Sequence, residues 1–248
     1  MTGAMTEVIT GALSVQGVSK RFGGLLAVDN VSFDVAPGEL VSIIGPNGAG
    51  KTTLFNLLTG QLAPTAGRVM LDRADVSRLP PHRRAAAGFG RTFQIAQTLT
   101  SLTVLENAMI GAFLRHPRLA DAARHATAML ELVGLGARAG TRAGVLTLSE
   151  RRRLEVARAL ATDPRIVLLD EVMAGLNQSE IQEVADLVQR LNAEGHTFLV
   201  IEHNLKVVRQ FSHRVIVLHR GAMLAEGTAA EVLANPAVVE AYVGTRRH

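Results

Sequence analysis

The stretch "LVSIIGPNGAGKTTLFNLL" (Leu40 to Leu58) decides the fold. Its opening, "LVSIIG" (Leu40 to Gly45), is short and rich in Val and Ile, and its apolar residues run on without polar alternation. That pattern reads as a strand buried on both faces, and Pro37-Gly38 just before it marks a turn. From its last glycine onward, the nine residues "GPNGAGKTT" (Gly45 to Thr53) match G-x-x-x-x-G-K-[ST] in full and lie where that motif requires, after a strand and opening a helix. Gly48 and Gly50 let the backbone curl until its N–H groups, those of Asn47 and Ala49 among them, point inward. The helix starting near Lys51 adds its positive end. Lys51 supplies a point charge for β- and γ-phosphates, the Thr52 hydroxyl is placed for Mg²⁺, and Thr53 can donate to the α-phosphate. The plain alternative is a glycine-rich turn with an accidental lysine, and the complete match in its proper context outweighs it. Nucleoside triphosphate binding is the expectation.

Three further stretches resemble the first strand: "IVLLDE" (Ile166 to Glu171), "TFLVIEH" (Thr197 to His203) and "RVIVLH" (Arg214 to His219). Between two of them lies "SEIQEVADLVQRLNAEG" (Ser179 to Gly195), where Ile181, Val184, Leu187, Val188 and Leu191 form one helical stripe. Ser179 with Gln182 is read as its capping box and Gly195 as its end. Strand, helix, strand in this order predicts a parallel α/β core. An acidic pair at a strand end is ordinarily no more than that. Beside a phosphate cradle, Asp170 becomes a Mg²⁺ ligand and Glu171 the group that polarises a water. A lone His at a strand end is more often structural, but His203 lies one strand on, at the carboxyl edge where ligands of such sheets collect.

From about Arg91 to Ala161 the pattern changes to helical spacing, in Val104 to Leu114 and Ala120 to Val133, with no convincing strand. This reads as a helical lobe inserted into the core. Pro236 sits in a helical tail. The 48% hydrophobic content of 248 residues is ample for a core, and the absence of cysteine excludes disulfides, thiolate metal sites and cysteine nucleophiles. A net charge of +4 with scattered basic residues, and only 4% aromatics, argues against a nucleic-acid partner. The first residues, "MTGAMTEVITGALSV", lack a basic segment followed by an apolar run, and no apolar run approaches the roughly 18 residues of a spanning helix. A soluble, cytoplasmic chain reaching the membrane through partners is expected.

With the cradle, "LLDE" and "VIEH", the chain resembles the ATP-binding cassette (ABC) ATPases over nearly its whole length. The resemblance implies a P-loop NTPase core of parallel strands, an N-terminal antiparallel β region and an inserted α-helical subdomain. It implies one domain over 8–248: a core lobe about 8–90 and 162–228, the helical subdomain about 91–161 and a helical tail about 229–248. Within "VSKRFGG" it makes Phe22 the aromatic that stacks on adenine, against the plainer reading of a core residue. Within "RTFQ" it makes Gln94 a Mg²⁺ ligand and relay, with Gln97 close by. It makes "AGLN", with Gly175, Leu176 and Asn177, a loop touching an opposite subunit, although Asn177 stands where many members have Asp and Val172 where Pro is common.

One segment departs from the family. Counting back from Leu154, "LTLSE" (Leu146 to Glu150) occupies the place of the signature LSGGQ, which acts on the ATP of the other subunit. Thr147 replaces Ser, and Leu148 and Ser149 replace both glycines. Thr147 with Glu150 still forms a capping box, so the helix is expected to start there. Leu148 adds bulk where phosphate approaches backbone N–H groups. A mixed pair tolerates one poor copy, so the expected partners are a second ABC ATPase subunit, as a heterodimer in preference to a homodimer, two membrane permeases and, indirectly, a solute-binding protein. The wording of "FGGLLAVDNVSFDVAPGELVSIIGPNGAGKTTLFNLLTG", "RRLEVARALATDP" and "AEGTAAEVLANPAVVEAYVG" is similar to the ATPases of branched-chain amino acid uptake systems. Lipopolysaccharide export and urea or amide uptake are the related alternatives, and a nucleotide-gated subunit of weak hydrolysis is another. ATP and Mg²⁺ are the implied cofactors.

Overall fold

A computed structural model describes residues 12–92 and 98–243. The chain begins with two long strands, β1 (Leu13–Phe22) and β2 (Leu25–Val35), followed by β3 (Leu40–Ile44) and α1 (Lys51–Leu58). Next come β4 (Ala66–Leu71), β5 (Ala74–Asp75), α2 (Pro81–Ala87) and β6 (Phe89–Arg91). Three helices follow, α3 (Val104–Ala112), α4 (Leu119–Leu132) and α5 (Leu148–Leu160). The chain then alternates through β7 (Ile166–Asp170), α6 (Gln178–Ala193), β8 (Phe198–Ile201), α7 (Leu205–Phe211) and β9 (Arg214–His219). It closes with β10 (Ala222–Gly227), α8 (Ala229–Ala234) and α9 (Pro236–Val243).

Six strands form one sheet in the order β10-β9-β3-β8-β7-β6, parallel except for β10 against β9. The unbroken apolar runs have a simple cause. Val41 and Ile43 of β3 and Leu199 and Ile201 of β8 join one core with Leu54, Phe55, Leu57 and Leu58 of α1 and the antiparallel strands. The residues between them, Leu40, Phe198 and Val200, face the opposite core under α5, α6 and α7. Both faces are covered, so no position on these strands calls for a polar residue. Ser42, buried in mid-strand, is satisfied by the Ser212 hydroxyl at 2.6 Å.

The second sheet, β2-β1-β4-β5, is antiparallel throughout and lies over α1. The far end of α1 is held by Arg84 of α2, which is fully buried and donates through Nη1 to the carbonyls of Leu57 and Leu58, both at 2.5 Å. A cation at a helix C-terminus complements the dipole. Burial nevertheless pushes the guanidinium down to about 10.

One expected cap is corrected. Helix α6 starts at Gln178, and its cap is Asn177, whose Oδ1 accepts from the N–H groups of Ser179 (3.0 Å) and Glu180 (3.1 Å). The capping box is Asn177 with Glu180, not Ser179 with Gln182: Asn caps at least as well as Ser, and Asn177 is the first residue able to do so. The strand expected over Thr197 to His203 ends at Ile201, leaving Glu202 and His203 just beyond the sheet edge.

Candidate active site

Strand β8 lies between β3 and β7, and the register sets Ile201 opposite both Ile43 and Asp170. The three segments leaving that edge are the loop from Gly45, the pair Glu202-His203, and Glu171. Sequence positions more than a hundred residues apart thus meet at one place because the strands are parallel and end in step.

In the loop, Gly50 has φ +100°, and a Cβ there would lie 2.6 Å from the Ala27 carbonyl oxygen. Only glycine fits. Gly50 also stands as the N-cap of α1 with no side chain capping it, so the first-turn N–H groups keep their donors for a ligand. Gly48, with φ +78°, faces open space, as does the exposed Asn47 beside it, whereas Ala49 is buried. Lys51 lies across the loop, its Nζ donating to the carbonyls of Gly45 (2.6 Å) and Pro46 (3.1 Å). Burial lowers its pKa, and the carboxylates of Glu171 and Asp170 oppose that shift. Thr52 is exposed and Thr53 half-buried.

Asp170 is buried at the end of β7, and desolvation raises its pKa against the pull of Arg91 and Lys51. Arg91, at the end of β6, donates to Asp170 Oδ2 at 3.2 Å and also to Asn56 Oδ1 (3.0 Å) of α1 and Thr59 Oγ1 (2.7 Å) at its C-cap. One guanidinium thus ties the acidic strand to the helix that follows the phosphate loop. Glu171 follows in a left-handed conformation, φ +49°, with its N–H bonded to the Ile201 carbonyl at 3.0 Å. A non-glycine residue held there costs about 1–3 kcal/mol, the kind of strain that collects at active sites.

Two groups went unread in the sequence. Arg91 sits within a quoted motif, yet nothing in its spacing aims it at Asp170. Glu202 is fully buried between Glu171 and His203, accepts from the Met173 N–H at 3.3 Å, and is pushed up to about 7 by desolvation. Arg152 of α5, itself buried, lowers the Glu202 pKa and pairs with Glu155 at 3.3 Å. An acidic residue at the end of a wholly apolar strand was the only signal available. His203 is exposed.

Phe22, expected as an adenine platform or a core residue, is 45% exposed at the end of β1, with Lys20 Nζ 5.1 Å above its ring. It is not in the core. Gln94 and Gln97 lie outside the described residues. At the start of α5 the capping box is present: Thr147 Oγ1 accepts from the Glu150 N–H, and Glu150 Oε2 accepts from the Thr147 N–H. Arg138 grips the same carboxylate (3.0 and 3.3 Å) and holds its pKa below the ordinary range, so the Glu150 charge is matched. Leu148 is exposed and leans on Gly175, where an added Cβ would come within 3.2 Å of Leu148 Cδ2. Ser149 is buried. Leu176 is buried beside the exposed Gly175 and Asn177.

Residues 28–174 match the family described as ABC transporter, more than half of the chain. The chain belongs to the ABC transporter ATP-binding family. The last segment of this cassette, residues 222–248, matches a second family, described as the branched-chain amino acid ATP-binding cassette transporter. The high-affinity branched-chain amino acid transport ATP-binding protein BraF of Pseudomonas aeruginosa is 41% identical over 250 residues, covering 94% of this chain and 97% of its own. LivG of Escherichia coli, described in the same words, is 42% identical over 248 residues with the same coverage. A crystal structure of the ADP conformation of an ABC transporter cassette superposes with a TM-score of 0.86 at 34% identity, covering 94% of this chain and 98% of that one. The cassette is therefore a nucleotide-binding ATPase subunit of a transporter, with the α/β fold the sequence implied. None of its described helices is long and apolar enough to cross a membrane.

Proposed function

We propose that this cassette hydrolyses ATP to drive uptake of branched-chain amino acids through permeases at the cell membrane. The observation that carries the hydrolysis is the convergence of the uncapped α1 N-terminus, Lys51, Asp170, Glu171 and His203 on one sheet edge. The substrate class rests on the match of residues 222–248 and on the transport function named for BraF and LivG.

Each group has one task. The loop N–H groups and Lys51 hold the phosphates once Lys51 leaves the carbonyls of Gly45 and Pro46. Glu171 accepts a hydrogen bond from the attacking water and sets it in line with the γ-phosphorus, and His203 holds the γ-phosphate. The Thr52 hydroxyl and the Asp170 carboxylate are hard oxygen donors that suit Mg²⁺, with Gln94 a third donor by resemblance. Mg²⁺, when bound, offsets charge on the β- and γ-oxygens. Phe22, exposed and flat, receives the adenine.

A second ATPase subunit completes the site. The start of α5, from Thr147 to Glu150, faces the partner's γ-phosphate, and Gly175 to Asn177 touch the partner. Val145 and Leu148, exposed here, belong to that junction. Because Leu148 and Ser149 stand where the family has glycines, a heterodimer is favoured. The permeases dock on a cavity of about 410 Å³ between α2, β6, α3 and α5, lined by Phe89, Ile110, Leu114 and Ala159 among others. In this reading the subunit sits peripherally on the cytoplasmic face, attached through the permeases.

Reconstitution with the neighbouring permeases and binding protein tests the substrate. ATP-dependent leucine or valine uptake is expected, and efficient hydrolysis stimulated only by an unrelated solute overturns that part. Negligible turnover in the complete complex would instead favour a nucleotide-gated subunit.

A further inference from the structure

Away from the nucleotide site, two imidazoles and a carboxylate converge where the helical segment meets the start of β7. His116 lies one turn past α3, its N–H bonded to the Ala112 carbonyl at 2.9 Å. His125 is on α4. Asp163 sits in the loop from α5 to β7, in a left-handed conformation (φ +50°). A close helix contact sets up the meeting: a Cβ on Gly111 of α3 would lie 2.3 Å from the Arg158 carbonyl oxygen of α5, so the two helices approach backbone to backbone. Their C-terminal ends then bring His116 beside Asp163.

The separations are those of a ligand set. His116 Nε2 is 3.1 Å from Asp163 Oδ2, and His125 Nε2 is 3.1 Å from Asp163 Oδ1. The ligating atoms of all three residues lie within 4.8 Å of one another. In a tetrahedral zinc site with bonds of about 2.0–2.1 Å, neighbouring ligand atoms stand about 3.3 Å apart. The rings are tilted by 39° with centroids 4.4 Å apart, and their two Nε2 atoms lie at the same carboxylate, one beside each oxygen.

Direction separates a ligand set from a plain hydrogen-bonded tie. A carboxylate serving only as acceptor would be met head-on by both N–H groups. His116 meets it so. The His125 Nε2 is equally near, buried, and makes no hydrogen bond. A buried nitrogen beside an acceptor yet off its line is costly for a donor and normal for a lone pair sharing a cation.

We propose that His116, His125 and Asp163 form a binding site for a divalent transition metal ion of the zinc class, with three protein ligands and one position open to solvent. Two imidazoles and one carboxylate suit zinc, and the partial exposure of His116 and Asp163 supplies the open position. Each imidazole binds as the neutral tautomer, with its proton on Nδ1. The ion ties α3 and α4 to the loop feeding β7, whose far end carries Asp170. The site is independent of the nucleotide chemistry proposed above.

The test uses the full-length, untagged protein, stripped with chelator and free of nucleotide, against H125Q and D163N. Equilibrium dialysis with Zn²⁺ is expected to leave one retained equivalent in the parent, with affinity at least about tenfold weaker in either variant. Co²⁺ is expected to give the strong visible absorption of a four-coordinate site in the parent alone. Zinc raises the Tm of the parent and not of the variants. Unchanged Tm in chelator and unchanged Mg-ATP affinity show that the variants are folded. No retained zinc in the parent, or retention and Co²⁺ spectra indifferent to both substitutions, overturns the site.

Discussion

At the scale of single residues, the site is a set of charges held in a space that disfavours them. Glu171→Gln keeps the side-chain shape and removes the negative charge that polarises the water. Mg-ATP binding is expected to persist while turnover falls by about 10²–10⁴. A wild-type rate would move that role elsewhere. Lys51→Ala acts earlier, on nucleotide affinity itself, measured by titration with a fluorescent ATP analogue. Glu202 gives a pH prediction whose sign is fixed by its environment. Its carboxyl is raised from 4.5 to about 7 by burial, so the folded protein holds a proton that the unfolded chain releases. As pH climbs from 4.5 to about 7, folding stability from this group is lost, and above about 7 it changes no further. Glu202→Gln removes that dependence. Its chemical-denaturation stability should exceed the parent's most at the alkaline end, and parallel curves for the two proteins would rule out the buried proton. The chain's text made Lys51, Asp170 and Glu171 legible because a phosphate loop constrains spacing. Arg91 and Glu202 were not, since their roles arise only when β6 meets β7 and β8 meets α5.

Among elements, legibility followed burial. The strands β3, β7 and β8 are buried at every residue and announced themselves as apolar runs. Strands β1 and β2 did not, because register shifts after Val15, Val18 and Lys20 break the alternation on which a half-buried strand is recognised. The three residues of β6 and the half-buried "AMLAEG" of β10 offer no pattern at all. Helix α5 was read with its start at Leu148 because the Thr147 and Glu150 box is local. Thr147→Ala should lower stability by about 1 kcal/mol, read as a shift in urea midpoint at constant slope. Arg91→Ala tests a link between elements. It leaves Asp170 buried without its arginine, a loss of about 3–5 kcal/mol. Adding Asp170→Asn should recover part of that, and strict additivity in the cycle would show the pair to be uncoupled.

For the whole molecule, the proposed pairing turns on the altered signature. The start of α5 is sound as a helix, and Arg138 matches the Glu150 charge, so the departure reduces to the Leu148 side chain and the buried Ser149. Losing close approach to backbone N–H groups removes one or two charge-assisted hydrogen bonds, each about 1.5–3 kcal/mol. In the proposed pair that penalty falls on the ATP held by the partner, not on the one held here. A homodimer would carry it at both sites and a heterodimer at one. Leu148→Gly should therefore raise hydrolysis in the assembled complex, with the gain confined to the site whose cradle belongs to the partner. Lys51→Ala in this chain should leave that gain intact, because it silences only the other site. The measurement is steady-state turnover of the heteromeric complex carrying each substitution and both. A slower Leu148→Gly complex would mean that this leucine, packed on Gly175, is fitted to its partner. Equal, full activity from homodimers alone would remove the case for a mixed pair.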